Sequence, residues 1–398
     1  MFIVISKKFF IINKADIDSA EKQPGSTVCV LDLIDETKEP VAIEWPPKIV
    51  ASRDEPKSKP KQPGNPRVIC GVVSPSEDFI ALCDDQKNLV VFNKDFEALR
   101  HFVVNRNIIK LLFRSDEKTI FSCDKTGDVY EFCLSESTSQ EKLLFGHCSM
   151  MLDFILTPDD RYIISGDRDE KIRVTNYPNT YNVESYCLGH EEFVSALQLL
   201  DSSTLVSGSG DGRVIFWDFL SGKRLFSFDC DQREKSSTNE KPKTEKEQSP
   251  FPIKSITTDS ANATYMAVTF YKQALIYVFK VLRNSDHCAS SLELIQKIET
   301  DSEPVLVQFD KAHSNFLWVI GGFSEKPGYL LELKKGEFIQ AFNTKVVDFL
   351  SRNEQVKVAI KAEHQTVHPL EGLYKHNFNN VEKYYERKML RIENENKK

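Results

Sequence analysis

The stretch that decides the fold runs from Phe145 to Asp218 and contains two similar units. The first reads Phe-Gly-His at 145–147 and then Ser-Gly-Asp-Arg-Asp-Glu-Lys-Ile-Arg-Val at 165–174. The second reads Leu-Gly-His at 188–190 and then Ser-Gly-Ser-Gly-Asp-Gly-Arg-Val-Ile-Phe-Trp-Asp at 207–218. Each unit begins with Gly-His and ends on a strand that follows an Asp-containing turn. This pattern is typical of one four-stranded blade of a β-propeller.

The second unit carries polar side chains that can hydrogen-bond to one another across its strands, so that each donor finds an acceptor when buried. A tryptophan indole N–H can donate to a serine hydroxyl, the hydroxyl can bond one imidazole nitrogen, and the other nitrogen can face a carboxylate. We therefore predict one hydrogen-bonded network that joins His190, Ser207, Asp211 and Trp217.

The first unit offers a similar set with one member missing. It supplies His147, Ser165 and Asp169, but Thr175 stands where the tryptophan would be. A threonine cannot reproduce the indole donor, so the network in this blade is predicted to be incomplete.

The position of Trp217 recurs at a regular interval along the chain. Equivalent positions are Phe92, Phe132 and Thr175, and the four are separated by 40, 43 and 42 residues. These intervals match the period of about 40 to 45 residues of a four-stranded blade. The next comparable strand ends at Phe279, 62 residues after Trp217.

Two polar segments interrupt the repeats. Residues 231–250, rich in Lys, Glu, Ser and Pro, account for the longer interval, and residues 53–66 are rich in proline and charge. Neither segment can bury enough apolar surface to offset the entropy of ordering, so both are predicted to be disordered loops.

The count of repeats predicts an all-β fold, a seven-bladed WD-repeat β-propeller with a short C-terminal helix. Six units begin near residues 68, 108, 149, 193, 251 and 303. The N-terminal strands, closed by a late strand around Val346–Phe349, are predicted to make the seventh blade. The propeller is assigned to 1–350 and a C-terminal segment with a basic amphipathic helix to 351–398.

Composition restricts the class of function. The net charge of −7 argues against a protein that coats nucleic acid by overall charge. Nine cysteines without a Cys-x-x-Cys pair are typical of reduced thiols rather than of a disulfide or zinc framework. The N-terminus lacks the features of a signal peptide, and no run of eighteen apolar residues occurs. We expect a nuclear or cytoplasmic protein without a metal or cofactor.

The segment Asp167–Arg173 is the most unusual in composition. Every residue in it except Ile172 is charged, and the segment spans a turn that leads into a strand. Because side chains alternate along a strand, Lys171 and Arg173 project from one face and Ile172 from the other. One interpretation is a solvated hairpin whose charges pair locally, each pair worth about 0–1 kcal/mol. The other is a docking edge for a partner of complementary charge.

The C-terminal segment predicts a basic helix. Val381, Tyr385, Met389 and Ile392 form one apolar stripe, and residues 375–398 contain seven Lys or Arg against four Glu. The helix could pack on the propeller with its charges in water. Alternatively, four basic side chains could contact the phosphates of a nucleic acid without reading sequence. They are Lys383, Arg387, Lys388 and Arg391.

Several of these segments resemble one WD-repeat family, the non-catalytic subunits of the tRNA guanine-N7 methyltransferase, also called the Wuho family. Continuous similarity covers about 120–217 and includes Asp167–Val174. The part of that segment from Asp167 to Arg173 is the most specific motif. The remaining matching segments are Asp124–Tyr130, Gly146-His147, Thr157–Tyr162, Cys187–Ser195 and Leu373–Val381.

The resemblance implies that the protein has no active site of its own. It would bind and stabilise a separate S-adenosylmethionine-dependent methyltransferase, which forms N7-methylguanosine in the variable region of tRNA, in a heterodimer. Matching residue by residue, Lys171 and Arg173 would face acidic groups of that enzyme. Asp167, Arg168 and Glu170 would orient those two side chains or pair with them.

Two other classes of function remain as alternatives. A generic WD-repeat adaptor, such as a ubiquitin-ligase substrate receptor or a chromatin scaffold, would usually carry an additional adaptor motif, and none stands out. A propeller enzyme would need carboxylates or histidines at repeated positions of the innermost strands, and the sequence offers no such set. It also lacks a phosphate-binding loop, a Gly-x-Ser-x-Gly and a His-Glu-x-x-His motif.

Overall fold

The architecture is a ring of seven antiparallel sheets, seen in a computed structural model. The structure describes residues 3–13, 27–35, 37–45, 47, 66–135, 141–230, 251–259, 263–284, 289–341, 344–354, 356–358, 360 and 370–374. Each sheet contains four strands in chain order, so each blade is built from one continuous part of the chain. The predicted all-β seven-bladed propeller is therefore confirmed.

The strands are named β1 to β28 in chain order, four to a blade. Their bounds are: blade 1, Ile3–Ile5, Phe9–Asn13, Thr27–Asp32 and Val41–Glu44; blade 2, Val68–Val73, Phe79–Asp84, Asn88–Asn93 and Ala98–Val103; blade 3, Ile108–Phe113, Thr119–Asp124, Asp128–Cys133 and Lys142–Gly146; blade 4, Met151–Leu156, Tyr162–Asp167, Ile172–Asn176 and Val183–Cys187; blade 5, Val194–Leu199, Thr204–Ser209, Arg213–Asp218 and Lys223–Asp229; blade 6, Ile253–Thr258, Tyr265–Phe270, Leu275–Arg283 and Ala289–Glu299; blade 7, Leu306–Phe309, Phe316–Ile320, Gly328–Lys334 and Glu337–Gln340.

The first strand of each blade lies innermost, around the centre of the ring. A cavity of about 270 Å³ is lined by first strands of blades 1, 2, 3 and 7, through residues such as Ile3, Cys70, Leu111 and Leu306. Since the strands alternate in direction, the turns between second and third strands and the connections between blades share one face. We call this the upper face, and the opposite one the lower face.

The core lies between neighbouring blades and explains why these sequences form strands. In blade 4, Ile164 and Val174 pack against Leu205 and Trp217 of blade 5, and all four are fully buried. Blades pack on both faces, so second and third strands are apolar almost throughout, as in Phe79–Asp84. Burying these side chains contributes roughly 1.5–3 kcal/mol for each large aliphatic or aromatic residue.

The lower face is held by a repeated contact between blades. Glu77, Glu117 and Asp160 occupy the same turn in blades 2, 3 and 4, and all have positive φ angles, of 67°, 55° and 57°. Each carboxylate accepts hydrogen bonds from the preceding blade: Glu77 from the Lys7 backbone N–H at 2.6 Å, and Glu117 from the Ser76 hydroxyl at 2.6 Å. Asp160 accepts from the hydroxyl of the equivalent serine in blade 3.

The ring closes where blade 7 meets blade 1, and here the prediction was wrong. Residues Val346–Phe349 are not a strand but belong to the helix α1, Lys345–Arg352. All four strands of blade 1 come from the N-terminus, so no strand is missing there. Helix α1 begins after Thr344, whose hydroxyl accepts the Val347 N–H at 3.4 Å.

Helix α1 covers the junction with apolar side chains instead of pairing with a sheet. Val346, Val347 and Leu350 are buried in one cluster with Phe10 of blade 1 and Trp318 of blade 7. The period of 3.6 residues places Val346, Val347 and Leu350 on one helix face. The four residues Val346–Phe349 are too few to distinguish that period from the alternation of a strand.

The predicted blade positions are confirmed. The first strands of blades 2 to 7 begin within three residues of the predicted starts. Phe92, Phe132, Thr175 and Trp217 occupy the same register position, opposite the second residue of the neighbouring strand. The predicted loops at 53–66 and 231–250 lie, apart from Pro66, outside the described residues.

Candidate docking site on the upper face

The predicted network of blade 5 is present and complete. The Trp217 indole N–H donates to the Ser207 hydroxyl at 2.8 Å, and that hydroxyl lies 2.7 Å from Nε2 of His190. Nδ1 of His190 lies 3.0 Å from Oδ2 of Asp211. A carboxylate can only accept, so Nδ1 of His190 carries a proton and donates a hydrogen bond to Asp211. Four residues that are distant along the chain thereby hold the top of blade 5 together.

Blade 4 has the same kind of network with a different carboxylate. Nε2 of His147 lies 2.8 Å from the Ser165 hydroxyl, and Nδ1 lies 3.0 Å from Oδ2 of Asp167. The prediction that Asp169 bonds His147 was wrong. Asp167, at the end of the strand, is the carboxylate that lies within hydrogen-bond distance of the imidazole. Thr175 cannot donate an indole N–H, and its buried hydroxyl has no hydrogen-bond partner among the described residues. The network lacks its fourth member, as predicted.

Asp167 also organises the turn that follows it. Its Oδ1 accepts the Lys171 backbone N–H at 3.0 Å, and the residue is only 2% exposed. Burial raises the pKa of Asp167, but the hydrogen bonds from His147 and from the Lys171 backbone lower it more, so the pKa lies below its ordinary value. Asp167 therefore stays ionised, and it holds the turn from inside rather than facing solvent.

Arg168, Asp169 and Glu170 form the tip of this turn, which we call the docking turn (Asp167–Lys171). The Arg168 backbone N–H donates to the Met150 carbonyl at 2.8 Å, and its Nε lies 3.8 Å from Oδ1 of Asp169. All three tip residues are partly exposed. Glu170 has a positive φ of 69°, a conformation that costs a residue other than glycine roughly 1–2 kcal/mol.

Lys171 and Arg173 differ in how they are presented. Lys171 is exposed, and no salt bridge joins it to another residue in the described part of the chain. Arg173 is half-buried: its guanidinium lies 4.6 Å from the centre of the Phe145 ring, and Nη1 donates to the Gly146 carbonyl at 3.2 Å. Burial lowers the pKa of Arg173 from its ordinary value, but an arginine remains charged at neutral pH.

The guanidinium of Arg173 has an unused donor. Its Nε is buried and makes no hydrogen bond to any described residue. The same holds for Nε of Arg168 and for the hydroxyl of Ser149, both on the same side of blade 4. Leaving a buried donor without an acceptor costs free energy.

The described residues do not form a candidate metal site. Among them, no three His, Cys, Asp or Glu side chains come together as a metal site would require. Eight cysteines are described, and all eight are free thiols. Within these ranges, no helix is both long and apolar enough to cross a bilayer.

The C-terminal residues divide into a part the structure describes and a part it does not. Lys383, Arg387, Lys388 and Arg391 lie outside the described residues. Just before them, helix α2, Leu370–Leu373, and Tyr374 pack on the upper face against Phe193. Sequence reasoning missed this contact. Its only local signal is the i, i+3 spacing of Leu370 and Leu373, which is too short to predict a docked helix.

Comparison with known proteins identifies a matching family model and several relatives. The family model described as "tRNA methyltransferase TRM82 WD40 domain" matches residues 135–342. The chain is 33% identical over 346 residues to the tRNA (guanine-N(7)-)-methyltransferase non-catalytic subunit wdr4 of Xenopus laevis, covering 84% of this chain and 83% of that protein. It is 42% identical over 160 residues to the non-catalytic subunit wuho of Drosophila grimshawi, covering 39% and 42%.

Solved structures support the fold alone. A chain in the crystal structure of the mitotic checkpoint complex matches with a TM-score of 0.60 at 14% identity, over 86% of this chain and 87% of that one. The structure of U3-55K matches with a TM-score of 0.58 at 18% identity, over 81% and 88%.

Proposed function

Because this chain belongs to the family of non-catalytic subunits of tRNA (guanine-N(7)-)-methyltransferases, we propose that it binds the catalytic subunit through the docking turn and Arg173. It is not itself the enzyme. The proposed role is that of a scaffold. It stabilises the active conformation of a separate methyltransferase, and that enzyme modifies guanine N7 in the variable region of tRNA.

The observation that carries this proposal is how the charges of blade 4 are held. Asp167 fastens both ends of the docking turn from inside, while Lys171 stays exposed and the guanidinium of Arg173 is held over the Phe145 ring and against the Gly146 carbonyl. A preorganised set of this kind loses little conformational entropy on binding. Acidic groups of the catalytic subunit would pair with the charges of Arg173 and Lys171.

The experiment reverses these charges and uses blade 5 as the control. Lys171→Glu with Arg173→Glu should weaken binding of the catalytic subunit on the order of 100-fold, since breaking close charge pairs at an interface costs roughly 2–5 kcal/mol. Arg213→Glu changes the residue equivalent to Lys171 in blade 5, which pairs with Glu191 at 2.9 Å. It should change affinity less than threefold. Binding of purified subunits by interferometry, with melting temperatures, provides both measurements.

Either of two results would contradict the assigned surface. The first is a folded double variant that keeps wild-type affinity, and the second is a blade 5 control that loses as much affinity as the double variant. In the first case the partner docks elsewhere on the ring. In the second, binding depends on the overall charge of the upper face rather than on blade 4.

Contact with tRNA is a further part of the proposal. Tyr374 lies on the upper face, so the chain that follows it starts on the same face as the docking turn. Lys383, Arg387, Lys388 and Arg391 would contact tRNA phosphates beside the enzyme, and each contact should contribute to the salt dependence of binding. Replacing all four by alanine should weaken tRNA binding by the complex and reduce the slope of log affinity against log salt. An unchanged slope would contradict it.

Location in the nucleus, and also in the cytoplasm, completes the proposal. Free thiols at eight described cysteines suit a reducing compartment. Fluorescence microscopy of a tagged full-length chain tests this directly, and accumulation in a secretory compartment would contradict it.

A further inference from the structure

The C-terminal residues Leu370–Tyr374 are fastened to the upper face by apolar contacts. Leu370 and Leu373 are 7% and 8% exposed, and they share one cluster with Phe193, which is fully buried. The ring of Tyr374 meets the ring of Phe193 edge to face at 5.2 Å. These five residues thus pack on the upper face between blades 4 and 6.

Tyr374 adds a directed hydrogen bond to this contact. Its hydroxyl donates to the Gly210 carbonyl at 3.3 Å, in the turn of blade 5 that also carries Asp211. Burial, together with the nearby carboxylates of Glu192 and Asp211, raises the pKa of Tyr374 to about 12. The hydroxyl therefore remains a donor at neutral pH.

Phe193 and Gly210 fit each other closely. The Gly210 N–H donates to the Phe193 carbonyl at 2.9 Å. A Cβ at Gly210 would lie 2.3 Å from Cε1 of the Phe193 ring, so no larger residue fits there unless that ring moves. The ring of Phe193 is therefore a fixed support for Tyr374, and it also lies 6.3 Å from the ring of Tyr271 in blade 6.

One residue joins this cluster to the docking turn. The side chain of Met150 packs in the cluster of Phe193, Leu370 and Leu373, while its carbonyl accepts the Arg168 N–H at 2.8 Å. The apolar contact and the docking turn therefore share the segment just before the first strand of blade 4.

We propose that Leu370–Tyr374 form a strap that holds Met150 beneath the docking turn, which makes Phe193, Leu373 and Tyr374 positioning residues for binding of the catalytic subunit. The proposal rests on the proposed function for its last step, since the docking turn must be what the partner binds. The strap itself is a property of the isolated chain. Without it, Met150 loses its cover, and the hydrogen bond to Arg168 should open more often.

Two truncations separate the strap from the basic residues that follow it. One chain ends at Tyr374 and keeps the strap; the other ends at residue 369 and lacks it. Hydrogen exchange of the isolated proteins is measured at the Arg168 amide. The equivalent turn of blade 2 serves as an internal control, because Asp84 holds its Gln86 and Asn88 amides at 2.9 and 2.8 Å.

We expect the chain ending at Tyr374 to exchange like the full-length protein. In the chain ending at 369, the Arg168 amide should exchange at least tenfold faster, while the Gln86 and Asn88 amides of blade 2 should exchange at the full-length rate. This chain should also associate more slowly with the catalytic subunit. Equal exchange in the two truncated chains would overturn the proposal. So would faster exchange in both turns, which would show general loosening of the propeller.

Point variants provide a conservative rescue. Leu373→Ser with Tyr374→Ser should reproduce the shorter truncation, whereas Tyr374→Phe keeps the ring on Phe193 and should exchange within about twofold of wild type at Arg168. If Tyr374→Phe behaves like the serine variant, the apolar strap is wrong. A failure of the proposed function looks different: the strap variants would still change exchange at Arg168, but Lys171→Glu with Arg173→Glu would leave the affinity for the catalytic subunit unchanged.

Discussion

The turns at the top of blades 4 and 5 follow the same plan but place their acidic residue differently. In blade 5 the histidine is met by Asp211, at the tip of the turn. In blade 4 it is met by Asp167, two residues before the equivalent position, which Asp169 occupies. Blade 5 therefore uses its tip for its own stability. Blade 4 satisfies its histidine from the strand end, and this leaves the charged tip available to a partner.

The backbone shows the same difference. The fourth residue of the turn is left-handed in both blades, with φ of 69° at Glu170 and 78° at Gly212. Glycine adopts this conformation without a steric cost, whereas glutamate adopts it only at a steric cost. Blade 4 thus holds a charged side chain at a strained position where blade 5 has none, as is common at sites of recognition.

The largest effect should come from breaking the blade 5 network. Trp217→Ala should destabilise the protein by roughly 3–5 kcal/mol, through lost core volume and through the donor removed from Ser207. Thr175→Val, at the equivalent position of blade 4, removes only a hydroxyl that has no partner in the described structure and should cost less than about 1 kcal/mol. Urea unfolding compares the two variants. Similar losses in both would contradict the different networks.

A smaller effect should distinguish the two aspartates of blade 4. Asp167→Ala leaves the His147 imidazole and the Lys171 amide without an acceptor and should cost about 1–3 kcal/mol. Asp169→Ala should stay within about 0.5 kcal/mol of wild type. The measurement is the free energy of unfolding at neutral pH. A larger loss of stability in Asp169→Ala than in Asp167→Ala would show that Asp169, not Asp167, bonds His147.

The pH dependence of the same variant sharpens this test. The pKa of Asp167 is lower in the folded protein than its ordinary value of 3.8, so its contribution is fully present above that value. The contribution is lost as the pH falls through the lower, folded pKa. The difference in stability between wild type and Asp167→Ala should therefore shrink below about pH 4. A difference that does not change down to pH 3 would show that ionisation of Asp167 is not involved.

The smallest effect concerns the strained position. Glu170→Gly should stabilise the isolated subunit by about 0.5–1 kcal/mol, because relief of the left-handed strain exceeds the added entropy of the unfolded chain. Gly212→Ala should destabilise it by a similar amount. Chemical denaturation of both variants tests the pair, and affinity for the catalytic subunit should fall in Glu170→Gly although its stability rises. A Glu170→Gly variant less stable than wild type would show that the side chain is needed for folding.

Sequence reasoning was most successful where the relevant contacts are set by spacing. The recurrence of Phe92, Phe132, Thr175 and Trp217 predicted the blades, because one four-stranded unit has a nearly constant length. The network of His190, Ser207, Asp211 and Trp217 was predicted because only these side chains have matching donors and acceptors.

It was less successful where two candidates compete over a short distance. Asp167 and Asp169 both offer a carboxylate to His147, and only the path of the strand shows that Asp167 lies 3.0 Å away. The stretch Val346–Phe349 is apolar enough for a strand, but it packs across a junction where a helix face fits better. Tyr374 meets Phe193 across 181 positions of sequence, and no local pattern predicts such a contact.

The amino-acid sequence by itself determined the number of blades, the polar crossing of blade 5 and the presence of an unusually charged turn in blade 4, because repeat length, hydrogen-bonding capacity and charge are properties of the residues. The tertiary structure decided which carboxylate serves the histidine, how the ring closes, and what packs over the upper face. These outcomes depend on distances between segments that are far apart in the chain, and such distances exist only once the blades are packed.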